Sequence, residues 1–330
     1  MHSTATDRTL CEFLRPDGPI VIGVGGLHGN EPMGVEALRR VVNALGDGTS
    51  LRGTFAAYVG NLTGLSRKQR YCDTDLNRLW IEGFGKEEFA AGQFPIDSAK
   101  LEALSVEQRE QQALWQVLKP HFDVAASTPR RLVLLDLHTT SAPGAPFTVL
   151  SGESSGGSLA TALSLTIVAL PEGAVNGALS VFASAMGHTG LTIEGGQHES
   201  EEACDCLEAI VRVGLECLEL VPRGTLDPQG TYRQLLEARR EGVPPKVRIS
   251  YVHTIEPEDE FRMHPGHTHF QRITRGQELA VDRRGPVLAP DEGFLLMPLY
   301  QAFGREGFFL TQPVDEAPEH AVGHDGNGDL

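Results

Sequence analysis

Four short stretches of this 330-residue chain carry side chains able to do chemistry. In His28-Gly29-Asn30-Glu31 an imidazole and a carboxylate stand three residues apart and can face one point. Such a pair is two-thirds of a catalytic zinc site, in which three protein ligands leave a fourth position open. The third ligand is expected at the end of another strand. Asp136-Leu137-His138 supplies it, a histidine closing an apolar run beside an acid that can orient a neighbouring group. Taken alone, a His-x-x-Glu reads more simply as two hydrogen-bonded loop residues; two strand-end placements together favour one bound zinc ion.

Zinc lowers the pKa of a bound water from about 15.7 toward roughly 7, yet a base must still collect the proton during attack. Glu194 closes the apolar run Leu191-Thr192-Ile193 and precedes Gly195-Gly196, where a substrate can approach the backbone closely. It is the candidate general base, a role worth about 10²- to 10⁴-fold in rate; the competing reading is a solvated loop carboxylate. Arg70-Tyr71-Cys72-Asp73-Thr74-Asp75-Leu76-Asn77-Arg78 concentrates guanidinium and amide groups. Arginine's planar fork suits a substrate carboxylate, with about 1.5 to 3 kcal/mol per charge-assisted bond. Alternatively, Arg78 merely pairs with Asp73 or Asp75 on the surface and stabilises little.

The surrounding pattern must hold these residues in place. Pro19 to Gly26 reads as a buried strand ending in glycines, and Glu31 to Leu45 as a helix. Further strands are expected at Thr54 to Val59, Arg131 to Leu137, Leu163 to Leu170 and Gly190 to Ile193, with helices at Ser98 to Leu118 and Glu199 to Leu220. Strands alternating with helices predict an α/β domain with a mostly parallel central sheet over residues 1–222. Val221 to Gly230 is turn-rich, and short apolar runs at Val247 to Val252, Gln277 to Val281 and Gly293 to Met297 predict a smaller β-rich domain over 223–330. From about Gln312 the chain is polar and acidic, and a mobile tail is expected.

Acidic residues outnumber basic ones by 44 to 28, a formal charge of −16, which argues against a surface that tracks nucleic acid or anionic lipid. Hydrophobic content is 40 %, with no run of about 18 apolar residues, so no membrane span is expected. Met1 to Arg15 lacks the apolar stretch of a signal peptide. Cys11, Cys72, Cys204, Cys206 and Cys217 form no CxxC pair, which favours reduced thiols and a cytoplasmic setting.

His28-Gly-Asn-Glu31, Asp75-Leu-Asn-Arg78, Asp136-Leu-His138 and Glu194-Gly-Gly, in this order, resemble the succinylglutamate desuccinylase and aspartoacylase family, relatives of the zinc carboxypeptidases. The resemblance covers the first two-thirds of the chain. It implies zinc held by His28, Glu31 and His138, with Glu194 as base and Arg70, Asn77 and Arg78 gripping a carboxylate-bearing N-acyl amino acid. One arginine is also placed to polarise the scissile carbonyl. It further implies a zinc-carboxypeptidase-like α/β domain followed by a smaller β domain. Separately from the resemblance, a homo-oligomer is compatible with the chain.

Two departures stand out. Aspartoacylase places a C-terminal tyrosine in its pocket, whereas the comparable stretch Glu306-Gly307-Phe308-Phe309-Leu310 offers no hydroxyl. His264, His267 and His269 are extra, and read as a histidine-rich loop near the pocket mouth rather than a second metal site. The sequence thus points to a zinc-dependent amidohydrolase that deacylates an N-acyl amino acid. Two alternatives share the scaffold, a metallocarboxypeptidase acting on peptides and a non-enzymatic binder of acidic metabolites. No motif selects the acyl group or the amino acid.

Overall fold

The computed structural model describes residues 8–81, 104–151 and 156–314. Its centre is a parallel group of strands whose sequences are apolar on both faces. β2 (Ile20–Gly25) and β3 (Thr54–Val59) are buried at every position, as is β4 (Leu132–Thr140). β2 pairs in parallel with both β3 and β4, and β4 with β7 (Thr189–Gln197). Such strands need cover on both sides. Helix α1 (Met33–Leu45) supplies one layer by burying Val35, Ala37, Leu38, Val41 and Leu45. It crosses very close to the sheet: a Cβ on Gly25 would lie 2.6 Å from the Gly34 carbonyl carbon, and one on Gly34 would lie 2.8 Å from the Leu137 oxygen. Only paired glycines allow that approach.

The remaining helices in chain order are α2 (Leu62–Arg67), α3 (Val106–Ser127), α4 (Gly157–Ala162), α5 (Leu179–Ala185), α6 (Glu201–Cys217) and α7 (Thr231–Arg239). The strands form one eleven-stranded sheet in the order β1-β3-β2-β4-β7-β5-β6-β8-β14-β13-β10. Here β1 is Thr9–Phe13, β5 Phe147–Ser151, β6 Thr166–Leu170, β8 Lys246–Thr254, β10 Arg272–Ile273, β13 Gly293–Leu296 and β14 Glu306–Pro313. A small sheet, β12-β11-β9, joins β9 (Arg262–Met263), β11 (Glu278–Asp282) and β12 (Gly285–Leu288). The expected α/β class with a β-rich C-terminal part is what the chain adopts, in a large mixed sheet: β1–β3, β5–β7 and the β8, β14, β13, β10 group pair antiparallel. The sheet crosses residue 222 without a break, because β6 pairs in parallel with β8.

Several boundaries move for physical reasons. The helix expected over 98–118 runs from 106 to 127, with a Ser105/Gln108 capping box at its start, and continues through Pro120 because Phe122 and Ala125 still bury beyond it. Residues 98–103 lie outside the described residues. The strand expected from Leu163 starts at Thr166, since the Leu163 and Leu165 N–H groups bond back to the Leu159 and Ala160 carbonyls of α4 instead. Gln312 and Pro313 belong to β14; most of the expected tail, 315–330, lies outside the described residues. No described helix is long and apolar enough to cross a membrane.

Candidate metal centre

Strands β2, β4 and β7 lie side by side and end at the same edge, the usual ligand-binding edge of an open α/β sheet. His28 and Glu31 occupy the turn between β2 and α1. His138 lies one residue beyond Leu137, which pairs with Gly25, and pairs in register with Glu194 on β7. In-register neighbours of a parallel pair share a face, so His138 and Glu194 project together.

His28, Glu31 and His138 are all buried and can place one ligand atom each within 4.8 Å of the others, the one such group of His, Cys, Asp or Glu among the described residues. Glu31 Oε1 lies 2.8 Å from His28 Nδ1, and Oε2 lies 2.9 Å from His138 Nδ1. The Thr139 N–H donates to Oε2 at 3.1 Å, and Arg70 donates to Oε1 at 3.3 Å. The outer nitrogens are also held. His28 Nε2 lies 3.0 Å from Asp75 Oδ1; His138 Nε2 lies 3.0 Å from Asp136 Oδ1 and 3.3 Å from Asn77 Nδ2. Carboxylates on the outer nitrogens leave both Nδ1 atoms turned toward Glu31, the arrangement of histidine ligands around a metal.

The electrostatics ask for a cation. Four acids, Glu31, Asp75, Asp136 and Glu194, gather here, and Arg70 bonds two of them, Glu31 and Asp75. Oδ2 of fully buried Asp136, and Oε2 of Glu194, lack a hydrogen-bond partner among the described residues. Buried acceptors without partners are costly. Burial works to raise Glu31, but His28 and His138 hold it well below the usual carboxylate range. Burial would lower His138, yet Asp136 and Glu31 outweigh this and hold it well above its ordinary value. Burial pushes Glu194 up to about 8, with His138 and Arg70 opposing and Glu31 and Asp136 reinforcing. Two imidazoles and a carboxylate that converge on one point, ringed by excess buried acid, fit a divalent cation of the zinc type.

The other expected residues fall around this centre. Asn77 is buried with both ends engaged: its Oδ1 accepts the Leu179 N–H at 2.9 Å while Nδ2 faces His138. Arg78 is exposed and donates to the Asn77 carbonyl at 2.8 Å. Sequence reasoning missed three neighbours. In sequence Asp75 reads only as a surface partner of Arg78, and no motif marks His198 or Gln301. His198 Nδ1 lies 2.7 Å from Thr139 Oγ1, and its Nε2 lies 3.3 Å from Gln301 Oε1. A second histidine four residues past Glu194 was a readable signal for His198; nothing local marks Gln301.

The C-terminal stretch compared with the aspartoacylase tyrosine, Glu306 to Leu310, is instead part of β14, with Phe308 and Leu310 in the core. The C-terminal residue that approaches the centre is Gln301, which also accepts from Asn30 Nδ2 at 3.4 Å. The three extra histidines turn three ways: His264 meets Glu278 at 2.8 Å, His267 meets Gln271 at 3.0 Å, and His269 meets Thr140 at 2.6 Å.

Comparisons with known proteins bear on the family and the fold. Residues 17–209 match the succinylglutamate desuccinylase/aspartoacylase catalytic domain. A succinylglutamate desuccinylase of Pseudomonas aeruginosa is 30 % identical over 92 residues, 28 % of this chain and 27 % of that protein. The matched part thus spans about a quarter of the curated relative's length. Among solved structures, succinylglutamate desuccinylase from Vibrio cholerae superposes with a TM-score of 0.60 at 16 % identity, over 92 % of this chain and 84 % of that one. Murine aminoacylase 3 gives 0.58 at 19 % identity, over 90 % and 95 %. These structures establish the shared fold.

Proposed function

Because this chain belongs to the succinylglutamate desuccinylase/aspartoacylase family, whose catalytic domain it matches over more than half its length, we propose that it is a zinc-dependent amidohydrolase of N-acyl amino acids. The observation that carries the reading is the convergence of both Nδ1 atoms on Glu31 while Asp75 and Asp136 face the outer nitrogens. His28, Glu31 and His138 would hold the ion. Bound zinc would supply Lewis acidity toward water and the acyl carbonyl.

The protein's own groups do the rest. Glu194, whose Oε2 is enclosed and unpartnered and whose burial favours holding a proton, takes one from the attacking water as the oxygen adds to the carbonyl carbon. It passes that proton to the leaving nitrogen as the C–N bond breaks, releasing a carboxylic acid and a free amino acid. Arg70, beside Glu31, is placed to polarise the carbonyl oxygen. Arg78 grips the substrate carboxylate, with Asn77 beside it holding the local backbone through the Leu179 N–H. Five free thiols make a cytoplasmic setting part of this proposal.

The decisive experiment is product detection with zinc-loaded and chelator-treated protein over N-acetyl and N-succinyl amino acids and a set of C-terminal dipeptides. Release of free amino acid from the N-acyl set, lost on chelation, is the expected result. Preference for dipeptides would make the protein a carboxypeptidase, and absence of any metal-dependent hydrolysis would leave a binder of acidic metabolites.

A further inference from the structure

The chain from Tyr71 to Asp75 forms no helix or strand, yet it connects Arg70 to Asp75, two residues that touch the metal-binding group. Its conformation therefore needs an external anchor. Glu107, in the first turn of α3, is 0 % exposed. Its Oε1 accepts the Cys72 N–H at 2.7 Å and Asn61 Nδ2 at 3.3 Å; its Oε2 accepts the Asp73 and Thr74 N–H groups at 3.0 and 3.1 Å. Three successive backbone amides thus close on one carboxylate, an arrangement that fixes both position and direction of the turn. The grip is reciprocal, since Asp73 Oδ2 accepts the Val106 N–H at 2.7 Å.

The same carboxylate bears on the other ligand loop. Asn61, which donates to Glu107, caps α2 by accepting the Gly64 N–H at 2.7 Å. The backbone of Gly64 packs so tightly on Gly29 that a Cβ there would lie 2.0 Å from the Gly64 carbonyl carbon. On the far side of the anchored turn, Asp75 Oδ1 receives the Asn77 N–H at 2.8 Å and faces His28 Nε2 at 3.0 Å. A continuous path therefore leads from Glu107 through the backbone of 72–74 to Asp75 and His28.

We propose that Glu107 is a positioning residue for the centre: through the loop it holds, it aims Arg70 at the substrate and Asp75 at His28. This rests on the metal-hydrolase reading above. Glu107 touches neither metal nor substrate, and it works by keeping His28 turned with Nδ1 toward Glu31.

The test is Glu107→Gln, equal in size but presenting an NH₂ group to N–H donors. Zinc affinity, measured by chelator competition without any substrate, should fall about 10- to 100-fold, the range seen when groups orienting metal ligands are lost. KM for carboxylate substrates should rise about tenfold. A lowered Tm with unchanged zinc affinity and KM would reduce Glu107 to a fold-stabilising acid and overturn the proposal. Should this variant fail to fold, amide exchange in the unaltered protein decides. Coupling is reciprocal, so zinc that is held better by a fixed loop must in turn slow exchange at Cys72, Asp73 and Thr74. Several-fold slowing on zinc loading is expected, and no change at these amides would overturn the proposal. A protein that binds no zinc in any form refutes the metal reading itself, a result separate from either outcome.

Discussion

Glu194 pairs in register with His138, and its Oε2 is enclosed with no partner among the described residues. A structural carboxylate in that position would be hydrogen-bonded, whereas a proton acceptor waiting for water would not. Glu194→Gln should therefore retain zinc and lose about 10²- to 10⁴-fold in kcat. Steady-state kinetics beside metal analysis checks this, and near-normal turnover removes Glu194 from the base role. Arg78 is the exposed arginine of the pair, since Arg70 is tied to Glu31 and Asp75. Losing one charge-assisted bond of about 1.5 to 3 kcal/mol implies a KM for carboxylate substrates roughly 10- to 100-fold higher in Arg78→Ala. An unchanged KM would show that Arg78 faces solvent only.

The elements that bring these residues together are turns at strand ends, and one such turn leaves no room for change. Gly29, between His28 and Glu31, abuts the α2 backbone at Gly64 and lies against the Gln69 carbonyl, which a Cβ would approach to 2.3 Å. Backbone cannot yield as a side-chain tip can, so Gly29→Ala should cost at least the roughly 1 to 3 kcal/mol typical of overpacking and weaken zinc binding together. Denaturant melts and chelator titration of the same sample test it; a variant with wild-type zinc affinity would show that α2 is free to shift. What the sequence made legible follows the same division. The strands β2, β3 and β4 were readable as apolar runs, and so was the placing of His28, Glu31 and His138 after β2 and near the end of β4, because both are local signals. β5, which reverses direction against β7, and α7, which buries Leu236 alone, were not, since neither has a strong periodic face. The tie of Glu107 to Cys72, 35 positions apart, and the approach of Gln301 to Asn30, 271 positions apart, exist only through the tertiary fold.

At the scale of the whole molecule, the division into residues 1–222 and 223–330 stays a proposal, and the two parts are sewn together by more than the β6–β8 pairing. His269 crosses that line. It is 4 % exposed; the Met297 N–H donates to its Nδ1 at 3.0 Å, and its Nε2 lies 2.6 Å from Thr140 Oγ1, two residues past His138. Because the Thr140 hydroxyl donates to the Ala142 carbonyl at 2.8 Å, Nε2 must carry the hydrogen and Nδ1 the lone pair, so this position demands a neutral ring. Burial accordingly pushes His269 down to about 4, with the Ala142 carbonyl opposing. An unfolded chain would take up the proton near 6.5, so between about pH 6.5 and 4 the unfolded state binds more protons than the folded one. The contribution of His269 is therefore complete above about pH 6.5 and is lost as pH falls toward 4, on the order of 3 kcal/mol in all. Burial also lowers His121 and His198, which titrate in the same direction, so the wild-type slope alone cannot isolate one ring. The comparison that does is urea-unfolding free energy against pH for wild type and His269→Gln, a side chain with no proton to gain. The variant should start less stable at pH 7 and lose stability more slowly on acidification, by up to about 1.4 kcal/mol per pH unit in the steepest part of the window. Parallel curves would mean that His269 is not what makes the joint between the two parts of the chain acid-sensitive.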